Sequence, residues 1–275
     1  MIQPHPISAT LSERRLPVGD VTLNVAFAGD HDAPPLVLLH GISSRLNTWT
    51  PVVDALAADH RLVIWEARGH GYSDHPDAGY LLPDYAADLD GLLAALEIDR
   101  PAILGHSLGG MTAMTWAVDH PSAARAIVLE DAPLRGGAKH VGRLDEWRRI
   151  SQMTVEQAAA HYLAENPNLS DAEVHRKATS VTATAVEAFS EMRDENIELG
   201  FIDRVAPLGP IALPILLIHG DVDAGGLVEA EDAARFARVG SNFESARVPG
   251  GTHGLHRGST DEFLRLTLAF LARHP

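Results

Sequence analysis

Residues 103–110 read Ile-Leu-Gly-His-Ser-Leu-Gly-Gly, and this stretch decides how the rest of the chain is interpreted. Apolar residues precede it, and a helical pattern follows over 111–118 until a His-Pro pair stops it. A strand, a sharp turn and a helix around Gly-x-Ser-x-Gly are typical of a nucleophile elbow. Ser107 is therefore predicted to be a nucleophile. The alternative is a Gly- and Ser-rich turn in an ordinary βαβ unit.

Composition narrows the class of protein. The chain has 275 residues, and its mean hydropathy is close to zero. This length suits one large α/β domain, or a core with an insertion. The formal net charge of −15, from 22 basic and 37 acidic residues, argues against nucleic acid and anionic membranes as partners. It also weakly disfavours highly anionic substrates, although a local basic pocket could override this. A small-molecule substrate is the partner we expect.

Cysteine usage and the chain ends give further expectations. The chain contains no cysteine, which excludes disulfides, a thiol nucleophile and a cysteine-based metal site. Residues 1–10 lack the basic and apolar regions of a signal peptide, and no stretch has the apolar length of a membrane span. We expect a cytoplasmic protein without metal or cofactor, without membrane insertion, and either monomeric or homodimeric.

Apolar runs that predict buried strands alternate with helical patterns along the chain. Period-two alternation over 13–29 predicts an edge hairpin. Strands are then predicted at residues 36–39, 61–65, 102–104, 125–129, 214–218 and 243–248. Helices are predicted at 47–58, 85–96, 111–118, 229–239 and 261–274. This order indicates a mostly parallel sheet covered by helices on both faces.

The alternation of strands and helices stops between the predicted strands at 125–129 and 214–218. Residues 133–207 show no convincing strand, but three helical stretches are plausible, one of them near 143–151. The other two begin at Thr154 and Ser170, each of which starts a capping box. The simplest interpretation is a helical cap inserted into the sheet domain. The predicted division is a core of residues 1–132 and 208–275 with a cap of residues 133–207.

A serine hydroxyl needs a base within hydrogen-bond reach and a third group that orients the base. His253 follows the last strand between two glycines, on the sheet edge where Ser107 is expected. It is the predicted base, and its neighbour His256 is the weaker alternative.

The acid of this arrangement is less clear. Asp223 stands three residues after Gly220, beyond the preceding strand, and is preferred. Asp221 lies on the same loop and is a rival. Glu130 and Asp131, after the strand that follows the elbow, are a second source. Each could instead cap a helix or pair with an arginine.

Two backbone N–H groups are expected to form an oxyanion hole. The first belongs to Leu108, which follows the nucleophile, and the second to Ile42, just after His-Gly. Side chains near these loops, together with aromatic residues of the cap, are candidates for the substrate pocket. These candidates are His40, Arg45, Trp49, His106, Trp147 and Tyr162.

Five landmarks in order make the chain similar to a known family. They are His40-Gly41, Arg-Gly-His-Gly-x-Ser-Asp at 68–74, the elbow at 105–110, Gly220-x-x-Asp223 and Gly251-x-His253. The chain resembles the α/β-hydrolase superfamily, in its serine esterase and lipase-like branch. The resemblance implies an eight-stranded mostly parallel sheet flanked by helices, a helical cap, and Ser/Asp/His catalysis. Glu66 stands where the family more often has Asp, and the loop after Asp223 looks longer than usual.

The resemblance leaves several activities open. The leading hypothesis is hydrolysis of carboxylic esters, lactones included, of small to medium and largely apolar substrates through an acyl-enzyme. Related dehalogenases and epoxide hydrolases use Asp as nucleophile, and Ser107 speaks against both. A perhydrolase, a specialised hydrolase of carbon–carbon bonds, and a small-ligand receptor or signalling protein on a hydrolase scaffold are the alternatives.

Overall fold

A computed structural model describes residues 11–198 and 200–275 of the chain. Its eight strands form one sheet. The strands are β1 Ser12–Val18, β2 Val21–Ala28, β3 Pro35–Leu39, β4 Arg61–Glu66, β5 Ala102–His106, β6 Ala126–Glu130, β7 Ile215–His219 and β8 Phe243–Arg247. Their spatial order is β1-β2-β4-β3-β5-β6-β7-β8. The predicted mostly parallel eight-stranded sheet is confirmed.

The edge hairpin is antiparallel and the remaining core of the sheet is parallel. β1 pairs with β2, and β2 pairs with β4, in antiparallel register. From β4 through β3, β5, β6 and β7 to β8 every pairing is parallel. The carboxyl ends of these six strands therefore share one edge, which is where ligands bind in open α/β sheets.

Helices cover both faces of the sheet. They are α1 Thr50–Ala57, α2 Leu82–Ala95, α3 Leu108–Asp119, α4 Ala138–Ser151, α5 Val155–Glu165, α6 Asp171–Thr182, α7 Val186–Glu198, α8 Phe201–Val205, α9 Ala230–Phe236, α10 Leu255–Gly258 and α11 Thr260–Ala272. Short 3-10 helices lie at Leu46–Trp49, Ala206–Leu208 and Val222–Ala224.

Strand β3 shows why both faces must be covered. Val37 and Leu39 belong to one apolar cluster, and Leu36 and Leu38 belong to the other. Successive side chains of a strand point to opposite faces, so a continuous apolar run buries both of them. Helices α2 and α3 pack together in one layer, while α1 and α11 pack together in another.

Two glycines allow the elbow to form. A Cβ atom at Gly105 would lie 2.4 Å from the carbonyl oxygen of Gly109, and one at Gly109 would lie 2.1 Å from that of Leu39. These contacts are far shorter than van der Waals distance and involve backbone that cannot move away. Glycine is required here because α3 crosses directly over β3 and β5.

Helices α4 to α8 fill the chain between β6 and β7, where no strand was predicted. Thr154 and Ser170 cap α5 and α6, and both capping boxes are present as predicted. The sequence interpretation missed α7 and α8. Within this insertion, α4 packs against α7 and α6, and α5 packs against α6.

Within the described residues, no helix combines the length and apolar character needed to cross a membrane.

Candidate active site

Ser107 occupies a strained turn between β5 and α3. Its backbone has φ +52° and ψ −113°, in a region that non-glycine residues rarely adopt. The N–H of Ser107 donates to the carbonyl of Glu130 at 3.0 Å, and its carbonyl accepts from Met111 N–H at 3.0 Å. The turn is thus held from both sides, and it raises Ser107 above the carboxyl end of β5. Backbone strain of this kind is typical of functional residues.

His253 lies in the loop after β8 and is oriented by a buried carboxylate. Its Nδ1 donates to Oδ2 of Asp131 at 2.7 Å. The side chain of Asp131 is fully buried, and that of His253 is 17% exposed. Asp131 also accepts hydrogen bonds from the backbone N–H of Leu227, at 2.8 Å, and of Gly220, at 3.3 Å. Since Nδ1 carries the proton, Nε2 of His253 is free to act as a base.

This geometry corrects the preferred acid. Asp223 is exposed in the 3-10 helix Val222–Ala224, whereas the carboxylate that meets His253 is Asp131. The carboxylate of Asp221 also has other partners, because it pairs with Arg247 and accepts a hydrogen bond from Gly250 N–H at 2.8 Å. The hydrogen bond from Arg247, followed by that from Gly250, lowers the pKa of Asp221 to about 2.

Glu130, the other candidate acid, pairs with the other candidate base. His256 Nδ1 lies 2.7 Å from both carboxylate oxygens of Glu130, and the backbone N–H of His256 donates to Oε1 at 2.9 Å. His256 Nε2 accepts from the Thr48 hydroxyl at 2.8 Å and from Arg257 Nη1 at 2.7 Å. Glu130, His256 and Thr48 are almost entirely buried, so this cluster holds the His253 loop against the sheet.

His106 brings the Ser107 turn and the His253 loop together. Its Nε2 donates to the carbonyl of His253 at 2.9 Å, and the two rings lie 4.6 Å apart. Because His106 precedes Ser107 directly, this bond places the His253 loop beside the elbow. Among the described residues no hydrogen bond joins Ser107 Oγ to the His253 ring. Catalytic hydrogen bonds of free enzymes are often long and tighten only when substrate binds.

Ser107 opens into a cavity between the sheet and the insertion. The cavity measures about 500 Å³ including its open mouth. Its wall from the sheet domain consists of Ile42, Ser107, Leu108, Met111, Pro133 and Leu227. Its wall from the insertion consists of His140, Arg143, Leu144, Trp147 and Met192. The cavity is mostly apolar, and of the residues that sequence proposed for the pocket, Trp147 lies on its wall.

The remaining pocket candidates lie elsewhere. Trp49 is fully buried beneath the site, 4.5 Å from the His256 ring. Arg45 donates from Nε to the buried Glu66 at 2.8 Å and covers the ring of Tyr72. Tyr162 is buried inside the insertion. These three side chains are therefore structural, and their assignment to the pocket is corrected.

The assignment of His40 and His106 to the pocket is also corrected, because both side chains are buried and absent from the cavity wall. His40 donates from Nδ1 to the carbonyl of Gly41 at 2.8 Å and accepts from Ala67 N–H at 3.1 Å. These bonds fix the loop that precedes Ile42. His106, as described, fixes the His253 loop.

The two predicted oxyanion donors belong to residues of the cavity wall. Ile42 and Leu108 both line it, and in the described part of the chain neither N–H is bonded to a backbone carbonyl. Leu108 begins α3, whose first N–H groups lack partners within the helix. Both N–H groups are available to an anion that forms beside Ser107.

Four buried histidines make the fold sensitive to acid. Burial lowers the pKa of His40 to about 4, and it lowers the pKa values of His70, His106 and His256 well below the ordinary value. These rings stay neutral in the folded state, whereas they bind protons in the unfolded state once the pH falls below about 6.5. The unfolded state then holds more protons, so stability is present above pH 6.5 and is lost as the pH falls.

We therefore expect the free energy of unfolding to drop by roughly 3–5 kcal/mol between pH 7 and pH 5.5. Urea unfolding at a series of pH values measures this drop. The exposed His31 provides the control, since His31→Gln should leave the pH profile unchanged. A free energy of unfolding that stays constant over this pH range would contradict the prediction.

One group of described residues has the geometry of a metal site. Ligand atoms of Glu146, His161 and Glu165 lie within 4.8 Å of one another, on α4 and α5. None of the three lines the Ser107 cavity, so the group has no part in the chemistry considered below.

Comparisons with known proteins find relatives of the same fold. A family model described as "alpha/beta hydrolase fold" matches residues 34–193. The 2-(acetamidomethylene)succinate hydrolase of Mesorhizobium japonicum is 25% identical, in an alignment that covers 94% of each chain. The serine hydrolase BPHL of Mus musculus is 26% identical, over 98% of this chain and 90% of its own.

A solved structure is similar over nearly the whole chain. The crystal structure of E-2-(acetamidomethylene)succinate hydrolase superposes with a TM-score of 0.82 at 25% identity, covering 95% of this chain and 99% of its own.

Proposed function

The chain belongs to the α/β-hydrolase fold family, and from this premise we propose that it is a serine hydrolase of carboxylic esters, lactones included. The observation that carries the proposal is the arrangement at the cavity. A strained serine and two residues with available N–H groups lie on the wall of an apolar cavity. A histidine oriented by a buried carboxylate is held beside the serine through its hydrogen bond with His106. Each part supplies one requirement of acyl transfer.

The proposed reaction begins with attack of Ser107 Oγ on the ester carbonyl. His253 Nε2 takes the hydroxyl proton, and Asp131 stabilises the imidazolium through Nδ1 without taking the proton itself. The N–H groups of Ile42 and Leu108 bind the oxyanion of the tetrahedral intermediate. The C–O bond then breaks, and His253 gives its proton to the leaving alcohol. Water, activated in turn by His253, hydrolyses the acyl-enzyme and restores Ser107.

We propose that residues 133–207 act as a cap over the core formed by 1–132 and 208–275. The support is the cavity wall, to which α4 and α7 contribute Trp147, Leu144 and Met192 opposite Ser107. An apolar roof excludes water and strengthens the electrostatic interactions at the reacting carbonyl. The same roof would limit the size of the substrate.

The test is a substrate panel. Wild-type protein is assayed with p-nitrophenyl esters of increasing acyl length and with simple lactones. We expect turnover that rises to an optimum at short or medium acyl chains, since the cavity is apolar and of limited volume. Absence of turnover on every ester and lactone would overturn the proposal of ester hydrolysis. A carbon–carbon bond hydrolase or a ligand receptor would then be preferred.

A further inference from the structure

Four cationic side chains, three in the insertion and one just after the His253 loop, interact electrostatically. They are Arg143 on α4, Arg176 and Lys177 on α6, and Arg257 on α10. We call them the basic cluster. Arg143 reaches the wall of the Ser107 cavity, where its guanidinium lies 5.8 Å from the ring of Trp147. Arg257 lies close to the His253 loop, since its Nη1 is 2.7 Å from Nε2 of His256, and His256 follows His253 by three residues.

The members of the basic cluster act on one another electrostatically. Burial lowers the pKa of Lys177, and the positive charges of Arg176, Arg257 and Arg143 lower it further. Burial and then the charge of Arg257 lower the pKa of Arg176 to about 10. Like charges that perturb one another in this way are close in space. The charges of Arg176, Lys177 and Arg257 therefore add positive potential behind Arg143, the member that lies on the cavity wall.

The basic cluster lacks partner carboxylates. Other arginines of the chain form close ion pairs, such as Arg68 with Asp88, Arg135 with Asp232 and Arg247 with Asp221. No described carboxylate lies within ion-pair distance of any member of the cluster. Nearby acids have other partners, since Glu130 binds His256 and Glu173 accepts from Ser170 at its helix N-terminus. Arg176, Lys177 and Arg257 are partly buried, and such cations without counter-ions are costly unless a ligand neutralises them. Arg143 is exposed at the cavity wall, where a ligand can reach it.

We propose that the basic cluster binds a carboxylate of the substrate, so that the ester hydrolysed by this protein is anionic. This inference rests on the proposed function and names its substrate class. Arg143 is the member placed to meet a carboxylate inside the cavity, because its planar guanidinium can bind both oxygens. Lys177, Arg176 and Arg257 raise the positive potential behind it. A local basic region thus overrides the net charge of −15, which by itself disfavours such substrates.

The experiment compares esters that differ only in the terminal group of the acyl chain. p-Nitrophenyl hexanoate ends in a methyl group, whereas mono-p-nitrophenyl adipate ends in a carboxylate. We expect wild-type kcat/KM to be at least about tenfold higher for the adipate ester, the effect of one charge-assisted contact. In Arg143→Gln and in Arg176→Gln the ratio of the two kcat/KM values should fall about tenfold.

Arg149→Gln is the matched control, because Arg149 is exposed on the same helix and lies off the cavity wall. It should keep the wild-type ratio. Turnover of both esters without preference for the adipate would overturn the inference and leave ester hydrolysis in place. A preference that survives in both cluster variants would also overturn it. Lack of turnover on either ester, together with lack of reaction with a fluorophosphonate, would instead reject the proposed function.

Discussion

Replacing Ser107 by alanine is expected to lower kcat/KM for the best ester of the panel by at least about three orders of magnitude. The hydroxyl is the only group lost, and no acyl-enzyme can form without it. The remaining activity would come from substrate binding and from the oxyanion donors of Ile42 and Leu108. The measurement is kcat/KM under conditions in which wild type follows Michaelis–Menten kinetics.

Two comparisons make the Ser107→Ala result interpretable. Ser241→Ala removes a hydroxyl from an exposed residue and should leave kcat/KM unchanged. Among the described residues the Ser107 hydroxyl forms no hydrogen bond, so the thermal midpoint of Ser107→Ala should remain near that of wild type. Retention of more than about a tenth of wild-type activity would show that another group is the nucleophile.

Replacing Asp131 by asparagine is expected to lower kcat/KM by about three to four orders of magnitude. The amide cannot stabilise the imidazolium, and its NH₂ group favours the wrong tautomer of His253. The oxygen of the asparagine, then at the Oδ1 position, can still accept the Gly220 N–H bond, so part of the loop geometry should survive. Steady-state kinetics with a p-nitrophenyl ester measure the loss, and circular dichroism checks the fold.

Asp223→Asn is the matched comparison, since it makes the same chemical change at the acid that sequence favoured. Its carboxylate is exposed, and kcat/KM should stay within about twofold of wild type. A large loss in Asp223→Asn combined with a small loss in Asp131→Asn would reverse the assignment of the acid.

The elbow could be predicted from sequence because its determinants are local. Gly105, Ser107 and Gly109 lie within five residues, and the strand and helix on either side follow from short apolar patterns. The sheet was predictable for a similar reason, since runs such as 36–39 must be buried on both faces. Capping boxes at Thr154 and Ser170 marked two helices of the insertion correctly.

The acid could not be predicted because its choice depends on tertiary geometry. Strands β6 and β7 are neighbours in the sheet, so carboxylates after either strand end near His253. Strand β6 ends at Glu130, and Asp131 follows it with a φ of +41°, so the two consecutive side chains take different partners. Glu130 meets His256 and Asp131 meets His253. Two adjacent acids at the end of a buried strand, with two histidines three residues apart, were the signal that could have indicated this pairing.

The cavity wall was harder to predict than the elbow. Trp49 and Arg45 follow the oxyanion loop in sequence, yet burial against His256 and pairing with Glu66 remove them from the cavity. Arg143 was overlooked because it is an exposed charge on a polar helix, and only the tertiary fold brings that helix to the cavity wall. Helix α7 was missed for a related reason, since residues 191–196 read Glu-Met-Arg-Asp-Glu-Asn and show little apolar periodicity.

The central claim is that Ser107 is the nucleophile, and covalent labelling tests it most directly. Wild-type protein is treated with a fluorophosphonate, its intact mass is measured, and the modified peptide is sequenced by tandem mass spectrometry. The account predicts one adduct per chain, on Ser107, and none in Ser107→Ala. It further predicts slower labelling in Asp131→Asn but not in Asp223→Asn. An unmodified wild-type chain, or an adduct on any other residue, would contradict the account.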